Sequence, residues 1–254
     1  MNKTMYIDPV LFKILACPFH RNHTLHFSVK SVAFFCDSCN NSYELLEQDG
    51  VYIPNFLIDK GNWDRGFRGI KSNIVNSFQG KPFKRQLEEN KLVLDVGCGE
   101  NARGNINMDC YIPGKLPRNF ILANAEYLPF KPNSIDIILS YYNIEHLINP
   151  AAHIMSLYET VKNKVEIVTD NSEWLGDMIF RVIGDGRIFH DEHYYKWSIE
   201  YFANLLSRLG LKKNSVCLLN RSSNPIVSSL SKLGSLPIIG NFFYRDLKAE
   251  IHKD

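Results

Sequence analysis

The stretch Leu92-Val93-Leu94-Asp95-Val96-Gly97-Cys98-Gly99-Glu100-Asn101 decides the fold. Three apolar residues lead into an acid, and two glycines then stand one residue apart. This reads as a buried strand ending in a tight turn. Without a Cβ at Gly97 and Gly99, a bulky ligand can lie against the main chain on either side of Cys98. Asp95 brings a carboxylate towards the carboxyl end of the strand, which is where open α/β sheets bind their ligands.

Downstream, Ile106 to Met108 is a short apolar run closed by Asp109. An acid ending the second strand of a nucleotide-type fold hydrogen-bonds a ribose diol. Asn119 to Leu122 reads as a third strand and leads into Ala123-Asn124-Ala125-Glu126-Tyr127-Leu128-Pro129-Phe130. A fourth strand over Ile135 to Ser140 runs into Tyr141-Tyr142-Asn143-Ile144-Glu145-His146-Leu147. A helix from about Pro150 to Val161 precedes a fifth strand over Val165 to Thr169. Strands alternating with crossovers give an α/β fold, a Rossmann-like, mostly parallel sheet with helices on both faces. Asp95 and Asp109 lie too close for a full helix between the first two strands, so a turn or stub of helix is expected. Gly97, Gly99 and Ala102 match a loose dehydrogenase fingerprint, but its acid belongs about 20 residues on, and Asp109 comes too soon.

Taken together, these motifs resemble the class I S-adenosylmethionine-dependent methyltransferases over about Lys91 to Leu211. The resemblance implies methyl transfer, with S-adenosylmethionine as cofactor. It implies that Asp95 and the backbone of Gly97, Cys98 and Gly99 flank the methionine moiety, and that Asp109 holds the ribose hydroxyls. Asn124 and Ala125 would border the adenine, and Ser140 and Tyr141 would line the floor near the reactive methyl. Asn124 stands where the family usually has Asp, and Asn101 replaces the third glycine of the turn. Both changes are mild, since Asn accepts an adenine hydrogen bond and tolerates left-handed backbone.

Ahead of this region, Cys17-Pro18-Phe19-His20 and Cys36-Asp37-Ser38-Cys39 form two knuckles. Two-residue gaps let paired ligands converge on one tetrahedral ion. Leu25 to Phe35 reads as a hairpin, and so do Tyr43 to Leu46 and Val51 to Pro54 across Asp49-Gly50. A segment this small needs a staple. The expected site is a structural Zn2+ held by Cys17, His20, Cys36 and Cys39, with His23 and His26 as competing ligands. Ile14-Leu15-Ala16-Cys17-Pro18 and Asp49-Gly50-Val51-Tyr52-Ile53-Pro54 resemble the zinc ribbons of small methyltransferase-activator proteins, with His20 where a cysteine is commoner. That resemblance implies a protein partner reached through the ribbon. The expected division is a zinc ribbon over residues 1–58, a linker and lead-in helix over 59–90, and a methyltransferase domain with a C-terminal apolar cap over 91–254.

With 254 residues, 45% hydrophobic content and a formal charge of +2, the chain suits one α/β domain with a small appendage. No apolar run reaches the roughly 18 residues that span a bilayer. No signal peptide is evident, so a cytoplasmic protein is expected.

Methyl transfer from a sulfonium is an in-line displacement, so alignment and exclusion of water are the main requirements. A general base is needed only for an unactivated hydroxyl or a protonated amine. His146 is one candidate base, although the resemblance implies that the Glu145-His146 pair is more often structural, bonding neighbouring loops and helix starts. The cluster Phe189-His190-Asp191-Glu192-His193 supplies His190 and His193 as base or acceptor ligands. With Asp191 these two could also hold a divalent metal, or the cluster could be a polar loop over the sheet's end. Ser198 should cap a helix over Ile199 to Leu209, and Asn214 to Leu219 reads as a late strand. The apolar segment Pro225 to Phe243 should pack on the core or form a lid. The expected acceptor is a small-molecule or lipid-linked compound. RNA is an alternative that the near-neutral charge does not favour, and a non-catalytic scaffold that binds the cofactor is a second.

Overall fold

The computed structural model describes residues 7–57, 90–174, 193–219 and 240–253. The chain opens with helix α1 (Pro9–Ile14), started by a proline and capped by the Asp8 carboxylate on the Val10 amide at 3.0 Å. Strands β1 (Ala16–Cys17) and β2 (His20–Thr24) bracket the first knuckle. Strands β3 (His26–Ser28), β4 (Ala33–Phe35), β5 (Ser42–Gln48) and β6 (Val51–Pro54) then form an antiparallel sheet in sequence order. The β5–β6 turn has Asp49 and Gly50 at φ 51° and 81°, the left-handed pair that a tight hairpin needs.

The main sheet contains β7 (Val93–Val96), β8 (Ile106–Asp109), β9 (Phe120–Leu122), β10 (Ile135–Tyr141) and β11 (Val161–Asp170). It is completed by β12 (Asn214–Leu219) and β13 (Asp246–His252), giving the order β12-β13-β11-β10-β7-β8-β9. The five strands from β11 to β9 are mutually parallel, and β13 runs antiparallel to both of its neighbours. Strand order reverses between β7 and β10, which opens a crevice at their carboxyl ends.

Helices α2 (Pro150–Thr160) and α3 (Ile199–Arg208) bury Ile154, Leu157, Phe202 and Leu206 in the main core with Leu94, Val96, Ile138 and Ile167. The alternate residues Val93, Ile137, Leu139 and Val168 form a second cluster, as the pleat requires. Ser198 caps α3 as expected, through the Tyr201 amide. No helix among the described residues is long and apolar enough to cross a membrane.

Three details differ from the sequence reading. Strand β11 begins directly at Val161 rather than at Val165. Helix α1 and strand β13 were not anticipated. Strand β13 inserts between β11 and β12, so the chain's last described strand is a sheet element rather than part of a cap. The expected lead-in helix and nearly all of the linker lie outside the described residues, as does most of the Pro225–Phe243 segment.

The front module docks on the sheet. Phe56 donates its amide to the Leu122 carbonyl at 2.8 Å, and Asn55 bridges Leu122, so the module covers the otherwise open β9 edge. Ile53 packs with Cys98, Phe120 and Leu122. On the other flank Ala16 and Lys131 make backbone hydrogen bonds to Pro129 and Ile14 at 2.9 and 2.8 Å. Arg21 fixes this contact through the Phe130 carbonyl, Glu159 and Thr160.

Candidate functional site

The glycine turn stands at the carboxyl end of β7, facing the end of β10. Gly97 has φ 70°, and a Cβ there would meet the Asn143 side chain at 2.6 Å. Gly97 therefore answers both to its backbone conformation and to close approach across the crevice. Gly104 is tighter still, since its Cβ would lie 2.3 Å from the Ile106 carbonyl and 2.6 Å from that of Val93. This glycine lets the Glu100–Asn105 connection fold back without a helix, as the short Asp95–Asp109 spacing predicts.

Two buried carboxylates frame the turn. Asp109 accepts from the Gly99 amide at 2.9 Å on one oxygen and from the Cys110 amide at 2.7 Å on the other. The end of β8 is thereby tied to the turn. Burial raises the Asp109 pKa, opposed by these amides. Asp95, fully buried, accepts from the Arg103 backbone at 2.7 Å and from its guanidinium at 3.4 Å, both on Oδ2. Its Oδ1 is buried with no hydrogen-bond partner among the described residues. Burial pushes Asp95 up to about 6, with the Arg103 cation pulling the other way. A buried, unanswered carboxylate oxygen beside side-chain-free backbone fits a ligand carrying a cationic amine. Arg103 also lies over the Tyr141 ring at 5.1 Å. Cys98 is buried in the cluster with Ile53, and its thiol pKa is raised by desolvation and then by Asp109.

A second chain of contacts joins the loops after β9 and β10. His153, on α2 and fully buried, has Nδ1 2.7 Å from the Ala125 carbonyl and Nε2 3.0 Å from Ser140 Oγ. A carbonyl only accepts, so Nδ1 carries the proton and Ser140 donates to Nε2. Asn143 Nδ2 in turn donates to Ser140 Oγ at 3.3 Å. Desolvation lowers the His153 pKa to about 4, so the relay is neutral. Asn124 Oδ1 accepts from the Glu126 amide at 2.8 Å, which shapes the Asn124–Ala125 corner. The structure thus brings Gly97, Gly99, Asp109, Ala125 and Ser140 into one polar framework. Tyr141 is not brought with Ser140. As its neighbour in a strand it points to the opposite face, where its hydroxyl donates to Glu166 at 3.0 Å.

Beyond β10, the short turn Ile144–His146 places Glu145 inward. Glu145 is 2% exposed, and its Oε2 accepts from Thr169 Oγ1 at 2.9 Å. Burial first, and the neighbouring Asp170 next, push its pKa up to about 8. The Tyr194 amide donates to the Glu145 carbonyl at 2.8 Å, and the His146 and His193 rings meet edge-to-face at 4.5 Å. The two sequence-predicted histidines therefore converge just beyond the carboxyl end of β10. His190 lies outside the described residues.

In the front module Cys17, His20, Cys36 and Cys39 offer ligand atoms that all lie within 4.8 Å of one another. Cys17 Sγ is 3.7 Å from Cys39 Sγ and 3.8 Å from His20 Nδ1, and Cys36 Sγ is 3.9 Å from the same nitrogen. Bonds of about 2.3 Å to sulfur and 2.0–2.1 Å to nitrogen put tetrahedral ligands about 3.6–3.8 Å apart, so the four residues fit one zinc ion. His20 offers Nδ1 to this cluster. The Tyr43 hydroxyl lies 3.0 Å from Cys17 Sγ, where it would be an outer contact of a bound ion.

Sequence reasoning missed Arg103, Asn143, His153 and Tyr43. None carries a local motif, and each acts across the fold on a residue that does. A cleft of about 300 Å³ lined by Asp8, Leu11, Tyr52, Leu116 and Phe120 lies between the front module and the start of β9, away from the glycine turn.

Residues 105–169 match the family model described as "Methyltransferase domain", a span from just before β8 almost to the end of β11. An uncharacterized protein of Methanocaldococcus jannaschii is 33% identical over 119 residues, covering 40% of this chain and 51% of the relative. A second from the same organism is 26% identical over 119 residues, covering 42% and 46%. The chain spans about half the length of the curated relatives it matches. Among solved structures, a SAM-dependent methyltransferase from Thermotoga maritima superimposes with a TM-score of 0.48 at 14% identity, covering 66% of this chain and 84% of that one.

Proposed function

We propose that this chain is an S-adenosylmethionine-dependent methyltransferase acting on a small-molecule or lipid-linked acceptor. The observation that carries the reading is the bond from the Gly99 amide to Asp109. It joins a side-chain-free turn to an acid at the end of the second parallel strand, beside the topological switch point. The match of residues 105–169 to the methyltransferase-domain family supports it.

When bound, the cofactor supplies an electrophilic methyl on a sulfonium. The residues of this chain would hold and orient it. Asp109 would take the ribose hydroxyls on the lone pairs left free by Gly99 and Cys110, since a carboxylate has about four acceptor sites. Asp95 Oδ1 and the backbone of Gly97, Cys98 and Gly99 would meet the methionine end. The Asn124–Ala125 corner would border the adenine. Ser140 and Asn143, joined to His153, would line the floor near the methyl, with Tyr141 on the side of Asp95 beneath Arg103. His146 and His193 face the acceptor side. Displacement in line with the carbon–sulfur bond then depends mainly on alignment.

We further propose that Cys17, His20, Cys36 and Cys39 hold a structural zinc, and that the module it staples shields the β9 edge and offers a surface to a protein partner.

Label transfer from methyl-labelled S-adenosylmethionine into extract of cells lacking the protein tests the reading. Label in an organic-soluble or small polar fraction supports it. Label in an RNase-sensitive fraction would replace the acceptor class with RNA. No label in any fraction, with cofactor bound, would point to a scaffold.

A further inference from the structure

We infer that Glu145, His146 and His193 form a second metal site, one that takes a divalent cation of the Mn2+, Fe2+, Co2+ or Zn2+ class. One ligand atom from each residue lies within 4.8 Å of the others. The site is separate from the four-ligand cluster in the front module, and its ligands come from the turn after β10 and from the segment that returns at His193. The Tyr194 and Tyr195 amides both donate to the Glu145 carbonyl, at 2.8 and 3.3 Å, and this holds His193 beside the turn.

A second observation points to a ligand independently of the clustering. Glu145 is 2% exposed, and its Oε1 is buried with no hydrogen-bond partner among the described residues. A buried polar oxygen in that state is costly until some partner meets it.

The donor set selects the metal. Two imidazoles and a carboxylate suit borderline first-row ions, whereas Mg2+ and Ca2+ prefer all-oxygen shells. Three protein ligands leave positions open, as in catalytic sites rather than closed structural ones. An oxygen of the acceptor could occupy such a position and lose its proton more readily there. That role at the acceptor rests on the methyl-transfer reading; the metal site itself does not.

The test uses the full zinc-loaded chain and Mn2+ as the probe. After EDTA has removed exchangeable metal, Mn2+ binding is followed by equilibrium dialysis and by pulsed electron paramagnetic resonance. The expected result is one exchangeable Mn2+ per chain, coupled to two imidazole nitrogens. His193→Ala and His146→Ala should each weaken binding at least tenfold and remove one coupling, while the EDTA-resistant zinc reports that the fold is kept. The wild-type nitrogen couplings decide the matter even if a variant unfolds. No exchangeable Mn2+, or Mn2+ without imidazole coupling, overturns the site, whatever the outcome of the labelling experiment.

Discussion

His153→Gln should remove a pH dependence that the wild-type protein carries between pH 6.5 and 4. His153 is fully buried, pinned between the Ala125 carbonyl and Ser140, with its pKa lowered by desolvation to about 4 from an ordinary 6.5. In that window the unfolded chain binds a proton that the folded chain does not. Acid therefore favours unfolding, and stability is lost as pH falls from 6.5 through 4. At about 1.36 kcal/mol per pK, the loss comes to about 3 kcal/mol. Asp95 contributes the opposite slope. Its folded pKa of about 6 lies above the ordinary 3.8, so the folded chain keeps a proton longer and stability falls as pH rises through that range. Asp95 is present in both proteins and cancels in their difference. The assay is urea unfolding at pH 7.5, 6, 5 and 4, followed by tryptophan fluorescence, to which Trp197, packed on Phe202 in the core, contributes. The wild-type value minus the variant value should fall by about 3 kcal/mol from pH 7.5 to 4. A difference independent of pH would refute the neutral, buried relay.

Gly97→Ala should cost about 1–3 kcal/mol in urea unfolding, from left-handed backbone and overlap with Asn143. Adding Asn143→Ala should recover only the overlap, and a neutral single variant would contradict the close approach. Cys36→Ser should abolish EDTA-resistant zinc on elemental analysis and speed hydrogen exchange at Phe120 to Leu122, the edge the module covers. Retained stoichiometric zinc would count against that ligand set.

Legibility in the sequence followed locality. The glycine turn, Asp109, both knuckles and the β5–β6 hairpin were readable because their residues lie within a few positions of one another and obey fixed backbone geometry. Ser198 and the helix it caps were readable for the same reason. Strand β13 was missed although Leu247, Ala249 and Ile251 alternate with charged residues as a strand requires; only its place between β11 and β12 depends on pairing that the sequence does not announce. Ser140 and Tyr141 end β10 as read, and the pleat sends their side chains to opposite faces. Arg103 and His153 were invisible because their partners, Asp95 and Ala125, are brought to them by the fold. The convergence of His146 with His193 depends likewise on the chain returning to the Glu145 carbonyl, which no local pattern announces.

The central claim is that the turn and Asp109 build a site for S-adenosylmethionine. Isothermal calorimetry with the zinc-loaded chain tests it most directly, comparing wild type with Asp109→Ala. The account predicts one cofactor bound per chain, and a variant weaker by about 1.5–3 kcal/mol through loss of charged hydrogen bonds. A folded wild-type chain that binds no cofactor, or a variant that binds it as tightly, would contradict the account.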